Sequence, residues 1–271
     1  KGTANGEQGV TIDGHAEDLI QQYISYDDIG LPSHELNAYY VGKVKKLGID
    51  LNGTYLWQKS GMDMLHSERT MDEESRDVNT SSRRHNQLLA GKLVLSYPVA
   101  KGQLEMGTEV SHTKSRGQYN NAEGIVAESS TNMKEDNVAG FLAFSYPVGN
   151  FSVDAGLRYE YVSAKYYSFG EYLEEPSKKY GNWFPSLTLG WNKNAWAVSL
   201  AYTCKTQRPS YNSLRNEVQY DNRYMYEGGN PYIRPTIRHD VSLDVVSNWL
   251  SLGVDYLYED NPMVWCASLY D

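Results

Sequence analysis

The chain has 271 residues, 40% of them hydrophobic and 22% charged, with 25 Lys and Arg against 34 Asp and Glu for a net charge of −9. That is too apolar for a wholly disordered chain, and the acidic balance argues against non-specific nucleic-acid binding, which draws on positive surface. No run approaches the about 18 consecutive apolar residues of a membrane-spanning helix, which excludes a helical membrane protein but not a β-barrel, whose lipid-facing residues alternate with polar ones.

The aromatic content is skewed. There are 23 Tyr beside 5 Phe and 6 Trp, so most rings are of the amphipathic kind that settles where apolar and wet surfaces meet. An interfacial girdle leaves that bias.

Residues 1–36 carry Gly2, Gly6, Gly9 and Gly14 among Asp13, Glu17, Asp18, Asp27 and Asp28, with no strand alternation. They read as an irregular extracellular loop, with a short helix expected over 15–25, belonging to a strand further upstream. The start at Lys1-Gly2-Thr3-Ala4 and the stop at Tyr270-Asp271 read as cut edges of a longer chain.

From residue 37 onward the pattern has period two, the signature of strands. A leading run at 37–45 (Tyr39, Tyr40, Val41) is followed by Ile49, Leu51, Gly53, Tyr55 and Trp57 on one face, with Asp50, Asn52 and Thr54 on the other. The alternation returns in Leu89 to Tyr97, Leu104 to Val110 and Val138 to Tyr146. It is clearest in Phe151, Val153, Ala155, Leu157, Tyr159 and Tyr161, and runs on through Leu187 to Trp191, Trp196 to Cys204, Val241 to Val245 and Leu250 to Tyr258. The expected architecture is all-β, an antiparallel up-and-down transmembrane β-barrel of about ten meandering strands over 37–271, forming part of a larger barrel.

The connections support it. Short turns fall at Lys46-Leu47-Gly48, Pro98 to Gly102, Pro147 to Asn150, Asn192 to Asn194 and Ser247-Asn248, and they alternate with long polar segments at 59–82, 115–136, 165–181 and 209–235. Sorting by length puts all tight turns at one end, as in barrels with short periplasmic turns and long extracellular loops; a soluble sandwich has no reason to do so. Tyr97, Tyr146, Trp191 and Trp196 flank short turns, while Trp57, Tyr159, Tyr161 and Tyr202 lie toward the long segments. Asp50, Lys92, Glu105, Glu109, Asp154, Arg158, Glu160, Lys205 and Asp244 fall on the face that would line a polar lumen.

Enzymatic motifs are missing: there is no GxSxG, HExxH, phosphate loop or paired CxxC, and Cys204 and Cys266 have no partners at metal-ligand spacing. No catalytic residue, metal site or cofactor is expected. Ten-stranded omptin-type barrels are proteolytic, and this chain has acids and histidines such as Glu68, Asp72, His66 and His112, whose spacing alone does not place them within mutual reach.

Four stretches in order, GLRYEY at 156–161, NWFPSLTLGW at 182–191, RPSYNSL at 208–214 and GGNPYIRP at 228–235, resemble the late barrel strands of TonB-dependent outer-membrane receptors, particularly the outer-membrane β-barrel family abundant in Bacteroidetes. The resemblance covers about 37–271 and marks Arg208, Pro209, Tyr211, Leu214, Gly229, Asn230, Pro231 and Pro235 as motif positions. Pro209 and Pro235 flank a long loop and cannot donate to a ladder. Gly228 and Gly229 with Asn230-Pro231 supply a tight reversal. Arg208 either pairs with a lumen carboxylate or touches a plug, or else it is a solvated rim residue.

Such receptors resemble a barrel of about twenty-two strands around an N-terminal plug. The resemblance implies a bacterial outer-membrane location and the import of a small-molecule, glycan or siderophore-like solute. The implied partners are outer-membrane lipid and, through the rest of the parent chain, a plug domain and TonB. Tyr119, Tyr166, Tyr167, Phe169, Tyr172, Tyr211, Tyr220, Tyr224 and Tyr226 are the candidate solute contacts, since rings stack on sugars and planar chelates. The alternative is a small self-closing barrel acting as a porin or adhesin, or as an omptin-like enzyme.

Overall fold

The computed structural model describes residues 2–12, 15–72 and 74–268. Its strands are β1 (Gly2–Ile12), β2 (His15–Ile29), β3 (Ser33–Val44), β4 (Leu47–Arg69), β5 (Ser75–Val99), β6 (Gly102–Asn121), β7 (Ser129–Val148), β8 (Phe151–Ser168), β9 (Glu171–Lys193), β10 (Trp196–Gln207), β11 (Val218–Asn222), β12 (Met225–Gly228), β13 (Thr236–Val246) and β14 (Ser251–Asp260). A 12-stranded sheet runs in the order β1-β2-β4-β5-β6-β7-β8-β9-β10-β13-β14 with β3 also on β4, while β11 and β12 form a separate pair. Each neighbour is antiparallel to the next, the expected meander. Among the described residues no pairing joins β1 to β14, so the sheet is open.

Two expectations need correction. Residues 1–36 are strand rather than irregular loop or helix over most of their described length, since β1 pairs with residues 15–26 of β2 and residues 21–29 of β2 pair with β4. Leu19, Ile20, Tyr23 and Ile24 have helical spacing, but ladder pairing to β1, and from Gln21 onward to β4 as well, decides for the strand. The polar segments 59–82, 115–136 and 165–181 are likewise mostly paired strand: β4, β5 and β9 run 23, 25 and 23 residues. That is about twice the 9–11 residues a tilted strand needs to cross the hydrocarbon. Beyond the lipid both faces are wet, so apolar alternation fades while the ladder continues.

β2 and β3 lie end to end along β4, Ile29 opposite Gly61 and Ser33 opposite Gln58. Three residues, Gly30, Leu31 and Pro32, therefore face two, Lys59 and Ser60, which is a one-residue bulge. Pro32 cannot donate, but its carbonyl accepts from the Lys59 amide at 3.3 Å.

Four of the five short turns are two-residue reversals that begin at positive φ, at Lys45 (56°), Ala100 (53°), Gly149 (62°) and Asn194 (54°), and the fifth, between β13 and β14, spans 247–250 and is closed by the Ser247 amide donating to the Leu250 carbonyl at 2.7 Å. Positive φ matches the twist of the flanking strands. At the opposite end the β8–β9 ribbon also closes tightly, through Phe169 (48°) and Gly170 (86°), where a long loop was expected.

The two faces of the sheet differ. Ile49, Leu95, Met106, Leu142 and Leu157 stand in one cross-strand row over β4 to β8, and Val153, Leu189, Leu200, Leu243 and Val254 in another over β8 to β14. Leu142, Leu157, Leu200 and Val254 are exposed, so this apolar face has no protein over it. Phe151 and Tyr161 bracket it on β8, ten residues or ~33 Å along the strand. At a tilt of about 40° that is about 25 Å of height, the size of the apolar band of an outer-membrane barrel. The buried clusters lie on the other face. One joins Val78, Tyr119, Val126 and Tyr220, and the other Met133, Tyr166 and Leu214.

Candidate functional site

Both clusters exist because the connection between β10 and β13, residues 208–235, folds back over the polar face. The motif RPSYNSL makes a turn in which the Leu214 amide donates to the Ser210 carbonyl at 3.2 Å and the Ser213 amide to Ser210 Oγ at 3.1 Å. GGNPYIRP is clipped to it: the Asn230 amide donates to the Ser213 carbonyl at 2.7 Å. A Cβ on Gly229 would come 2.5 Å from the Arg215 carbonyl oxygen and 2.9 Å from that of Ser213, so only glycine admits this approach. Asn230 Oδ1 then accepts from the Tyr232 amide at 2.9 Å, an Asx turn carrying the chain past Pro231.

Charge fixes the clipped turn to the wall. Arg208 binds Glu160 of β8 and lies 3.6 Å from Glu135 of β7, which is the lumen-carboxylate alternative for this residue. Arg158 reaches the same Glu160 at 3.0 Å and Glu109 of β6 at 3.3 Å. Glu160 is thus shared between a wall arginine and a connection arginine. Leu214 is buried against Met133 and Tyr166, with Tyr211 and Ile233 packed on them. Burial, with the Glu135 carboxylate nearby, pushes the Tyr211 phenol up to about 12. Lys178 of β9 donates to the carbonyls of Pro231, at 3.1 Å, and Ile233.

Further along, Tyr220 of β11 packs on Tyr119 of β6, whose hydroxyl accepts from the Tyr220 amide at 3.2 Å, and Tyr226 meets Tyr220 edge-on at 5.6 Å. Arg223 lies 3.4 Å from Glu68 and 3.2 Å from Glu74. The Tyr224 hydroxyl donates to Asp18 at 2.7 Å, and the Gln22 amide donates to the Asp221 carbonyl at 2.5 Å.

The candidate tyrosines therefore divide. Tyr119, Tyr166 and Tyr220 are buried in holding the connection down, with Tyr211 and Tyr226 packed beside them. Tyr224 is exposed beside β2. Tyr167 and Tyr172 meet each other at 5.6 Å on the outward side of the β8–β9 ribbon. They do not form one ring-lined site.

The geometry opens a cavity of ≈ 520 Å³ between β4, β5 and the connection, lined by Arg84, Arg215, Asn212, His66, Asp28, Asp221 and Glu227 together with Tyr119 and Tyr220. Arg84 donates to Asn212 at 2.8 Å and sits 3.7 Å from Glu217, while Arg215 pairs with Glu227 at 2.8 Å. Cations and carboxylates are close to balanced, which suits a polar solute of mixed hydrogen-bonding character. Arg84, Arg215 and Asp221 escape sequence reading because they lie in segments without alternation, and only the folded-back connection brings them together. The omptin-type candidates are separated: His66 is buried beside the cavity, while His112 pairs with Asp136 at 2.7 Å on the outward face. Among the described residues no cluster of His, Cys, Asp and Glu is arranged to hold a metal ion.

Residues 42–266 match the Outer membrane protein beta-barrel family. No curated protein matches the sequence. Among solved structures, the ferric yersiniabactin uptake receptor FyuA from Yersinia pestis is similar with a TM-score of 0.50 at 11% identity, over 89% of this chain and 36% of that one. The copper transporter OprC gives 0.50 at 10% identity, over 95% of this chain and 48% of that one. The alcaligin outer membrane receptor FauA from Bordetella pertussis gives 0.46 at 11%, over 90% of this chain and 44% of that one. The chain spans less than half the length of each of these barrels. An antiparallel sheet with one bare apolar face, one charged face and this family match places the protein in the bacterial outer membrane, as a member of the outer membrane protein beta-barrel family.

Proposed function

We propose that this chain is wall and solute-binding surface of an outer-membrane receptor that imports a glycan or siderophore-like solute with TonB and a plug domain. The observation that carries it is the connection 208–235, folded onto the polar face and enclosing the balanced cavity at Arg84 and Arg215. A passive pore gains nothing from a segment tied across its lumen through Arg208, Arg84, Lys178 and Arg223. Two barrels of like fold are, by name, an uptake receptor for ferric yersiniabactin and a copper transporter, which supports the same class.

In this reading the ends of β4 to β9 opposite the two-residue turns project outside the cell, and β1 with β2 extends that external wall. Pairing to further strands would close the edges at β1 and β14, since bare backbone groups are too costly in hydrocarbon. The test is the mass of the native protein in outer membranes, read with an antibody raised to this chain. A band far heavier than 30.7 kDa is expected, leaving room for a plug and more wall. A band near that mass would replace the receptor with a small self-closing barrel.

A further inference from the structure

We propose that the outward face just beyond the aromatic rim binds phosphate groups of outer-leaflet lipid headgroups. Lys114, Lys134 and Lys165 stand directly opposite one another on β6, β7 and β8. In the next row out, Arg116 faces His85, which faces Lys59. All share the alternation of the lipid-facing Val110, Val138 and Tyr161, so their side chains leave the barrel on the lipid side.

Like charges directly opposite across strands repel, and this row is not neutralised from within. Among the described residues none of these cations forms an ion pair, while Asp136 beside them is held by His112 at 2.7 Å and Asp63 by Arg83 at 2.7 Å. Ring contacts set the height of the ammonium groups. Lys134 lies 5.0 Å from the Tyr167 ring centre and Lys59 5.1 Å from that of Trp57, which holds them at the aromatic rim where headgroups begin. Strands are about 4.8 Å apart, so the lysine row spans roughly 10 Å, wide enough for more than one phosphate.

The other rim is different. There the outward strand residues Tyr97, Tyr146, Phe151, Trp191 and Trp196 are accompanied on the strands by Lys193, and Lys45, Lys46 and Lys101 sit in separate two-residue turns, not side by side across neighbouring strands. A basic row on one rim alone fits a bilayer whose phosphate-rich headgroups meet that rim. The inference rests on the outer-membrane orientation given above, and not on TonB or on any solute.

The experiment uses the full-length native protein, reconstituted in phosphatidylcholine vesicles containing one-tenth phosphatidic acid, with retained lipid quantified by mass spectrometry after detergent washing. Wild type is expected to retain phosphatidic acid preferentially, with enrichment falling about five-fold for each lysine removed in Lys114→Gln, Lys134→Gln and Lys165→Gln. Lys193→Gln, at the opposite rim, is expected to leave enrichment unchanged. Heat-modifiable gel mobility reports that each variant is folded. Equal enrichment in wild type and the triple variant would overturn the proposal, as would complete displacement of the lipid by inorganic phosphate, which would mark a free-anion site. Loss of enrichment in Lys193→Gln alone would invert the orientation while leaving the receptor reading to its own mass test.

Discussion

Glu160 is the residue on which the docked connection depends most. It is 5% exposed and accepts from Arg158 of its own strand and from Arg208 of the connection, so neutralising it leaves two guanidinium groups facing each other across one lost carboxylate. Among the described residues Glu109 accepts only from Arg158, and both side chains are about a third exposed. Hydrogen bonds to buried charged groups are worth about 1.5–3 kcal/mol, whereas open ion pairs are worth about 1 kcal/mol or less. Glu160→Gln should therefore destabilise the folded barrel by about 1.5–3 kcal/mol and Glu109→Gln by under about 1 kcal/mol, measured as the temperature at which heat-modifiable gel mobility is lost. Equal shifts would show that the connection is not held through Glu160.

As an element, the connection 208–235 has almost no regular structure beyond β11 and β12, and its position comes from buried side chains. Tyr211 makes that position pH-dependent. Its phenol ordinarily loses a proton near 10 and is held up to about 12 by burial and by Glu135. A group whose folded pKa is raised gives stability that is whole below the unfolded value and lost as pH rises through the folded one, so the window lies between about 10 and 12. Protease cleavage within 208–235 should rise across that window, and Tyr211→Phe should move the rise upward in pH; cleavage independent of pH in both would remove Tyr211 from the docking. The central portions of β4 to β10 were legible in the sequence because each has one face in lipid and one in the lumen, which imposes period two. The outer reaches of β4 to β9, with β1 and β2, were not, since water wets both their faces. The motif Pro and Gly positions were legible as turn formers, yet their mutual clip at Ser213 and Asn230 was not. Nor was the cavity, because Arg84 and Arg215 are 131 residues apart in sequence.

At the scale of the whole molecule, the sheet has to keep its two faces in two different solvents, and the Leu142–Leu157–Pro185 row is where this can be tested most directly. Leu157 is 45% exposed with no protein over it, near the middle of the span between Phe151 and Tyr161. An arginine placed there must keep its charge in hydrocarbon or drag water to it, at a cost of about 2–4 kcal/mol near the midplane and about 0–1 kcal/mol near the interfaces. Leu157→Arg should therefore lower the folding stability in vesicles by that amount, read from refolding yield against urea. Ser145→Arg, on the neighbouring strand but opposite Asp154 on the polar face, should fold nearly as wild type, because the new guanidinium meets water and a carboxylate. If Ser145→Arg instead lost stability while Leu157→Arg folded as wild type, the side-chain direction assigned to every strand would be wrong by one residue, since a one-residue shift exchanges the faces throughout. The apolar rows, the charged lumen and the basic rim share one alternation, so this pair of substitutions tests them together.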